Sequence, residues 1–131
     1  MSYSNIPSKI LLPSCQDHID LWQKFIQHNA ATSIRDPHLG IKQIVGKYPG
    51  PHICFTAAVH GNEPVGVKAF LHLLTLAQEI PILTRGTLSL IIGNPLAFQK
   101  GVRYIEEDLN RSFNHKLTSS IEGQRAGLLR R

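Results

Sequence analysis

Residues 53–92 constrain the fold more than any other part of the chain, because they read as two apolar strands joined by one amphipathic helix. The strands are the apolar runs 53–59 and 87–92. Between them, apolar residues of 65–77 recur on one helical face after Pro64, which suits a first helical position. A crossover of this length joins parallel neighbours in a sheet. The sequence therefore predicts an α/β fold, with residues 53–59 buried on both faces because they do not alternate with polar residues.

The patterns outside this unit are weaker. Apolar residues at helical spacing predict a helix over residues 15–29, and residues 41–47 form a short candidate strand. Residues 103–113 are polar with no clear period, which indicates an irregular loop. A further helix is predicted to start near Glu122 and to run to the end of the chain.

The size and composition are those of one folded domain. The chain has 131 residues, 42% of them apolar and only 18% charged, which is typical of a globular protein with a real core. We expect a single, partial catalytic domain over residues 1–131, with residues 1–40 as a helical or irregular lead-in. The last predicted helix has no terminator, so we expect a truncated architecture, whose incomplete sheet would favour self-association.

The charges and cysteines exclude several classes of protein. The net charge of +5 is scattered and forms no basic stripe, so we expect a small anionic partner and no nucleic acid. Cys15 and Cys54 form no metal-binding or disulfide pattern. Residues 1–13 do not resemble a leader, and no run has membrane-spanning length, so we expect a cytoplasmic protein with no membrane partner.

Polar side chains follow both apolar strands. His60 and Glu63 come directly after the first strand, and Asn94 follows the second. Because ligands bind outside the carboxyl ends of parallel strands, we expect these loops to share one rim of the sheet. A catalytic zinc ion takes about three protein ligands and a water. His60 and Glu63 would supply two of the ligands, although chance pairing, with His60 at a strand end and Glu63 in solvent, is the alternative.

The polar loop contains a candidate anion site. A carbonyl that gains negative charge during hydrolysis needs a cationic partner, which Arg103 could provide. A substrate carboxylate needs a planar donor fork with an amide beside it, and Asn110 with Arg111 fits that description. The alternative is a set of surface loop residues, with Asp108 pairing one arginine.

The order and spacing of these motifs resemble a known family. The motifs are residues 60–66 (HGNEPVG), 93–97 (GNPLA), 103–104 (RY) and 108–113 (DLNRSF). Together, over residues 41–131, they look like the succinylglutamate desuccinylase and aspartoacylase family, whose catalytic core is similar to that of zinc carboxypeptidases. The resemblance implies a three-layer fold with a mostly parallel or mixed sheet flanked by helices.

The resemblance also implies an activity and a role for each residue. The activity is zinc-dependent hydrolysis of the amide of a small N-acyl amino acid. His60 and Glu63 would bind zinc, and Arg103 would polarise the scissile carbonyl. Asn110 and Arg111 would hold a substrate carboxylate. Asp108 would orient the loop and its arginines.

Two further groups of that family have no counterpart in this chain. The family takes a third zinc ligand, a histidine, and a glutamate general base from positions well beyond the Asn110 and Arg111 pair, and His115 lies too close to that pair to replace the histidine. The sequence therefore leaves open whether these 131 residues are an active enzyme. Two alternatives stand beside the acylase: a metallocarboxypeptidase-like peptidase, and a non-catalytic module that binds a carboxylate.

Overall fold

A computed structural model describes residues 15–114 and 119–130, and the chain forms a mixed sheet with flanking helices over these ranges. The helices are α1 (Cys15–Gln27), α2 (Val65–Glu79), α3 (Pro95–Lys100), α4 (Leu109–Ser112) and α5 (Ile121–Leu129). The strands are β1 (Thr32–Ser33), β2 (Ile41–Val45), β3 (Tyr48–Ala57) and β4 (Arg85–Ile92), and a 3₁₀ helix spans Pro37–Leu39. The elements predicted from periodicity are therefore present, with ends that differ by a few residues.

The sheet has the strand order β1-β2-β4-β3. β3 pairs with β4 in parallel, whereas β2 pairs antiparallel with both β4 and β1. The α/β class and the mixed sheet predicted from the sequence are confirmed. The parallel pairing of the two apolar strands is confirmed as well, with helix α2 as the crossover between them.

The core lies between one face of the sheet and helices α1, α2 and α3. Alternate residues of β4 supply the sheet side, because successive side chains point to opposite faces. The buried apolar cluster contains Trp22, Phe25, Ala57, Ala58, Val67, Phe70, Leu74, Leu88, Leu90, Ile92 and Phe98. On the other face, Cys54 and Ile91 of the sheet line a cavity together with Leu109 of α4 and Leu129 of α5. Helices therefore lie over both faces of the sheet.

The expected burial of residues 53–59 is correct at Ala57 and Ala58, which lie in the core, but wrong for the earlier part of the strand. β3 stands at the edge of the sheet, and β4 is its one neighbour among the strands of the described ranges. The side chains of Ile53 and Phe55 are consequently 47% and 52% exposed. Apolar composition indicates that a strand can be buried, but burial itself requires a neighbouring element on each side.

The irregular loop expected over residues 103–113 in fact contains the short helix α4, and the sequence patterns also missed α3 and β1. Both helices begin at a polar cap. The Asn94 side chain accepts a hydrogen bond from the backbone N–H of Ala97, and the Asp108 side chain accepts one from Asn110. Helices of four and six residues are too short to show a hydrophobic period, which explains why they were missed.

None of the helices in residues 15–114 and 119–130 has the length and apolar character needed to cross a membrane.

Candidate metal and carboxylate site

The site is built on the turn that follows β3. The chain leaves the strand at Ala58, which has a φ of 51°, an uncommon value for a residue with a Cβ atom. The carbonyl oxygens of Ala57 and Ala58 accept hydrogen bonds from the N–H groups of Gly93 and Asn94, at 2.7 and 3.0 Å. The loops after β3 and β4 therefore share one rim of the sheet, as the sequence predicts.

His60 and Glu63 lie side by side on this turn. The imidazole Nδ1 of His60 is 3.2 Å from Oε1 of Glu63. The His60 side chain is 17% exposed and that of Glu63 is 61% exposed. The imidazole is therefore largely buried, whereas the carboxylate beside it is open to solvent. Glu63 precedes α2, and its backbone N–H donates to the carbonyl of His60, which tightens the turn that brings the two side chains together.

Asp108 occupies the opposite side of the His60 ring. Its two carboxylate oxygens lie 3.2 and 3.1 Å from Nε2 of His60, and Oδ2 is 3.6 Å from Nη2 of Arg103. Burial raises the pKa of Asp108, but hydrogen bonds from the Asn110 N–H and from His60, together with the charge of Arg103, bring it below its ordinary value. Asp108 is therefore a carboxylate at neutral pH.

Each nitrogen of the His60 ring faces a carboxylate, Nδ1 that of Glu63 and Nε2 that of Asp108. An ionised carboxylate only accepts hydrogen bonds, so each ring nitrogen must either donate a proton to its carboxylate or share a metal ion with it. A ring that binds a metal ion through Nδ1 would keep its proton on Nε2, where Asp108 accepts it.

The donor set fits zinc. Imidazole nitrogen and carboxylate oxygen are both zinc ligands, and ligand bonds of about 2.0–2.2 Å in a tetrahedral site place neighbouring ligand atoms about 3.3–3.6 Å apart. A carboxylate on the second ring nitrogen is the usual partner of a zinc-bound histidine. Among the residues that the structure describes, however, no group of three or more His, Cys, Asp or Glu side chains is placed to hold a metal ion. His115 lies outside the described residues.

The predicted anion-binding residues divide between two cavities. Arg103 and Arg111 line one cavity of about 550 Å³, together with Tyr104 and three acidic residues, Glu106, Glu107 and Asp108. Asn110 lines a different cavity, against the outer face of the sheet. The structure therefore brings the two arginines to one cleft, which is linked to His60 by their shared neighbour Asp108, whereas Asn110 lines the other cavity.

Gly61 connects the turn after β3 to the backbone of Arg103, one of the residues that line the cleft. Its N–H donates to the carbonyl of Arg103 at 3.0 Å. A Cβ atom on Gly61 would lie 2.2 Å from the carbonyl carbon of Ala97 and 2.4 Å from the carbonyl oxygen of Val102. Only glycine permits so close an approach of two backbone segments. The sequence patterns do not reveal this contact, because the segments are about forty residues apart.

Sequence reasoning also missed the anchor of the polar loop. Glu122 of α5 is fully buried, and its carboxylate accepts hydrogen bonds from the backbone N–H groups of Ile105, Glu106 and Glu107. A glutamate in the first turn of a helix is usually read as a solvent-exposed partner of the helix dipole. No local pattern distinguishes that ordinary case from the buried anchor found here.

Fold and site together describe an α/β protein with a polar cluster at the carboxyl ends of two parallel strands. The family model for the succinylglutamate desuccinylase/aspartoacylase catalytic domain matches residues 49–131. The chain belongs to this family, as its motifs indicate.

Several curated bacterial proteins are similar to the chain. A succinylglutamate desuccinylase of Pseudomonas putida (strain GB-1) is 39% identical over 82 residues, which are 61% of this chain and 24% of that protein. A succinylglutamate desuccinylase of Yersinia pestis (strain Pestoides F) is 37% identical over 82 residues, which are 59% of this chain and 24% of that protein. The matched region thus spans about a quarter of the length of these relatives. No solved structure matches the chain.

Proposed function

We propose that this chain carries part of the active site of a zinc-dependent hydrolase that cleaves the amide bond of an N-acyl amino acid. The observation that carries the proposal is the environment of His60. Its Nδ1 atom lies 3.2 Å from the Glu63 carboxylate, and its Nε2 atom lies 3.2 and 3.1 Å from the two carboxylate oxygens of Asp108. Family membership and the succinylglutamate desuccinylases among the relatives support an N-succinyl amino acid as the substrate class.

His60 and Glu63 would hold the zinc ion, which when bound would supply a Lewis acid and lower the pKa of a bound water. Asp108, 3.1 Å from Nε2, would orient the His60 ring by accepting a proton from that nitrogen, which would make Nδ1 a stronger metal ligand. Arg103 contacts the same carboxylate oxygen of Asp108 as His60 does, and its side chain is 53% exposed. Its guanidinium would stabilise the negative charge that develops on the scissile carbonyl oxygen.

Arg111 would select anionic substrates. It lines the same cleft as Arg103, and a planar guanidinium binds a carboxylate through two parallel hydrogen bonds. Asn110 is proposed as its partner, which requires its side chain to turn toward the cleft when substrate binds. The general base and a third zinc ligand would come from outside residues 15–114 and 119–130, since no third ligand joins His60 and Glu63 there.

The lack of a third ligand within those ranges favours a second candidate, a module that binds a carboxylate without turnover. The module would use the same two arginines, Arg103 and Arg111, in the cleft. The two candidates differ in their dependence on metal. A module binds its anion with zinc removed, whereas a hydrolase needs zinc for turnover.

The test is hydrolysis and binding of N-succinyl-L-glutamate, with zinc added or removed by a chelator. The proposal predicts release of glutamate that requires zinc. Turnover without a general base would be about 10²- to 10⁴-fold slower than with one. Arg111→Gln should weaken substrate binding at least tenfold. Lys24→Gln, which makes the same charge change at an exposed position on α1, should leave binding unchanged. Binding without any zinc-dependent turnover would replace the hydrolase by the module.

A further inference from the structure

Glu122 is a buried carboxylate whose hydrogen bonds all come from groups beside the site. Its Oε1 atom accepts from the Ile105 N–H at 2.6 Å and from the side-chain amide of Asn94 at 3.0 Å. Its Oε2 atom accepts from the N–H groups of Glu106 and Glu107, at 3.1 and 3.3 Å. Each oxygen therefore has two donors.

These contacts keep Glu122 ionised inside the protein. Burial raises the pKa of its carboxyl group, but the Ile105 N–H, the Asn94 amide and the N–H groups of Glu106 and Glu107 together bring the pKa below its ordinary value. A buried charge is weak evidence for stability, because apolar replacements of such groups are often neutral or stabilising. The directional hydrogen bonds point instead to a role in fixing the position of the loop.

Side chains of the loop also form hydrogen bonds with residues at the start of α5. The Glu106 carboxylate accepts a hydrogen bond from the N–H of Ile121, and the Ser120 hydroxyl donates to the Glu107 carboxylate. One turn further along α5, Arg125 donates to the carbonyl oxygens of Ile92 and Gly93, at 2.7 and 2.9 Å. Helix α5 thereby ties the polar loop to the end of β4.

The segment that Glu122 binds is close in sequence to two residues of the site. Residues 105–107 lie between Arg103, whose carbonyl accepts the Gly61 N–H, and Asp108, whose carboxylate contacts His60. A shift of the loop would move both contacts at once. Because metal and oxyanion sites lose activity when a supporting group moves by about 1 Å, this connection bears on function.

We infer that Glu122 is a positioning residue, which sets the placement of Asp108 and Arg103 around His60 by holding the backbone of residues 105–107. The inference rests on the proposed function for its catalytic meaning. Its structural content stands on the hydrogen bonds alone and can be tested separately.

The test compares Glu122→Gln with Glu79→Gln, a matched change at the exposed end of α2. A glutamine amide nitrogen cannot accept hydrogen bonds, so the variant loses two of the four and faces loop N–H groups with another donor. Backbone amide NMR signals of Gly61 and Asn110 report on Arg103 and Asp108, because these N–H groups donate to them. We expect both signals to move in Glu122→Gln and to stay in place in Glu79→Gln.

Unmoved Gly61 and Asn110 signals in a folded Glu122→Gln protein would overturn the inference, even if its stability falls. If that variant does not fold, Glu122→Asp serves the same purpose, because it keeps the charge but shortens the reach by one methylene. There too, the inference predicts displaced signals and is refuted by unchanged ones.

Zinc alone is the second probe. If the wild-type protein binds zinc, Glu122→Gln should bind zinc about tenfold more weakly than wild type, because the residue that orients a zinc ligand is no longer held in place. Equal affinity would overturn the positioning role. Wild type that takes no zinc would count against the proposed function, and the amide signals would then decide the role of Glu122 by themselves.

Discussion

Replacing Gly61 by alanine tests the contact that fastens the turn after β3 to the polar loop. The new Cβ atom would lie 2.2 Å from the carbonyl carbon of Ala97. An ordinary contact needs about 3.5 Å, so one of two backbone segments must move by about 1 Å. Overpacking of this kind costs about 1–3 kcal/mol.

Two further terms nearly cancel and leave the expected loss of stability at about 1–3 kcal/mol. The Gly61 N–H to Arg103 carbonyl bond, 3.0 Å long, contributes about 1 kcal/mol and would be lost. In the opposite direction, removing a glycine stabilises by about 0.4–1 kcal/mol because the unfolded chain has fewer conformations.

The assay is urea unfolding of Gly61→Ala beside Asn62→Ala, an exposed neighbour on the same turn. The control should stay within about 0.5 kcal/mol of wild type. A Gly61→Ala protein that is as stable as wild type would refute the close approach of the two segments.

Two more predictions concern acid stability and association. The pKa of Glu122 in the folded protein lies below its ordinary value of 4.5, so the stabilisation from this carboxylate is present above pH 4.5 and is lost as the pH falls through the folded pKa. The free energy of unfolding of Glu122→Gln should therefore fall less steeply with acid than that of wild type. An unchanged slope would contradict this. The exposed edge of β3 should pair with a second copy of the chain. In sedimentation, Phe55→Lys should therefore shift the protein toward monomer, whereas Val65→Lys, a control at an exposed position, should not. A wild-type protein that is monomeric at high concentration would count against this pairing.

Elements with a long hydrophobic period were predictable from the sequence. Helix α2 and strand β4 each show an uninterrupted pattern, and their order correctly predicts the parallel pairing of β3 with β4. The shared rim follows from that pairing, which is why the sequence alone places His60 and Asn94 at the same end of the sheet.

Contacts between distant parts of the chain could not be predicted in the same way. Asp108 was expected to orient the loop and its arginines, and the sequence did not reveal its closer side-chain contact with His60, 48 residues earlier. Glu122 meets Asn94 across 28 residues. Such pairs leave no local period, because they depend on how short capped segments pack, and the exposure of β3 likewise depends on a neighbour that its own residues do not reveal.

The most direct test of the account is zinc titration by calorimetry of wild type, His60→Ala and His72→Ala, the last an exposed histidine on α2. We expect one zinc ion per chain, at least tenfold weaker binding in His60→Ala, and wild-type affinity in His72→Ala. No binding, or equal binding by all three proteins, would contradict the assignment of His60 and Glu63 as a metal site.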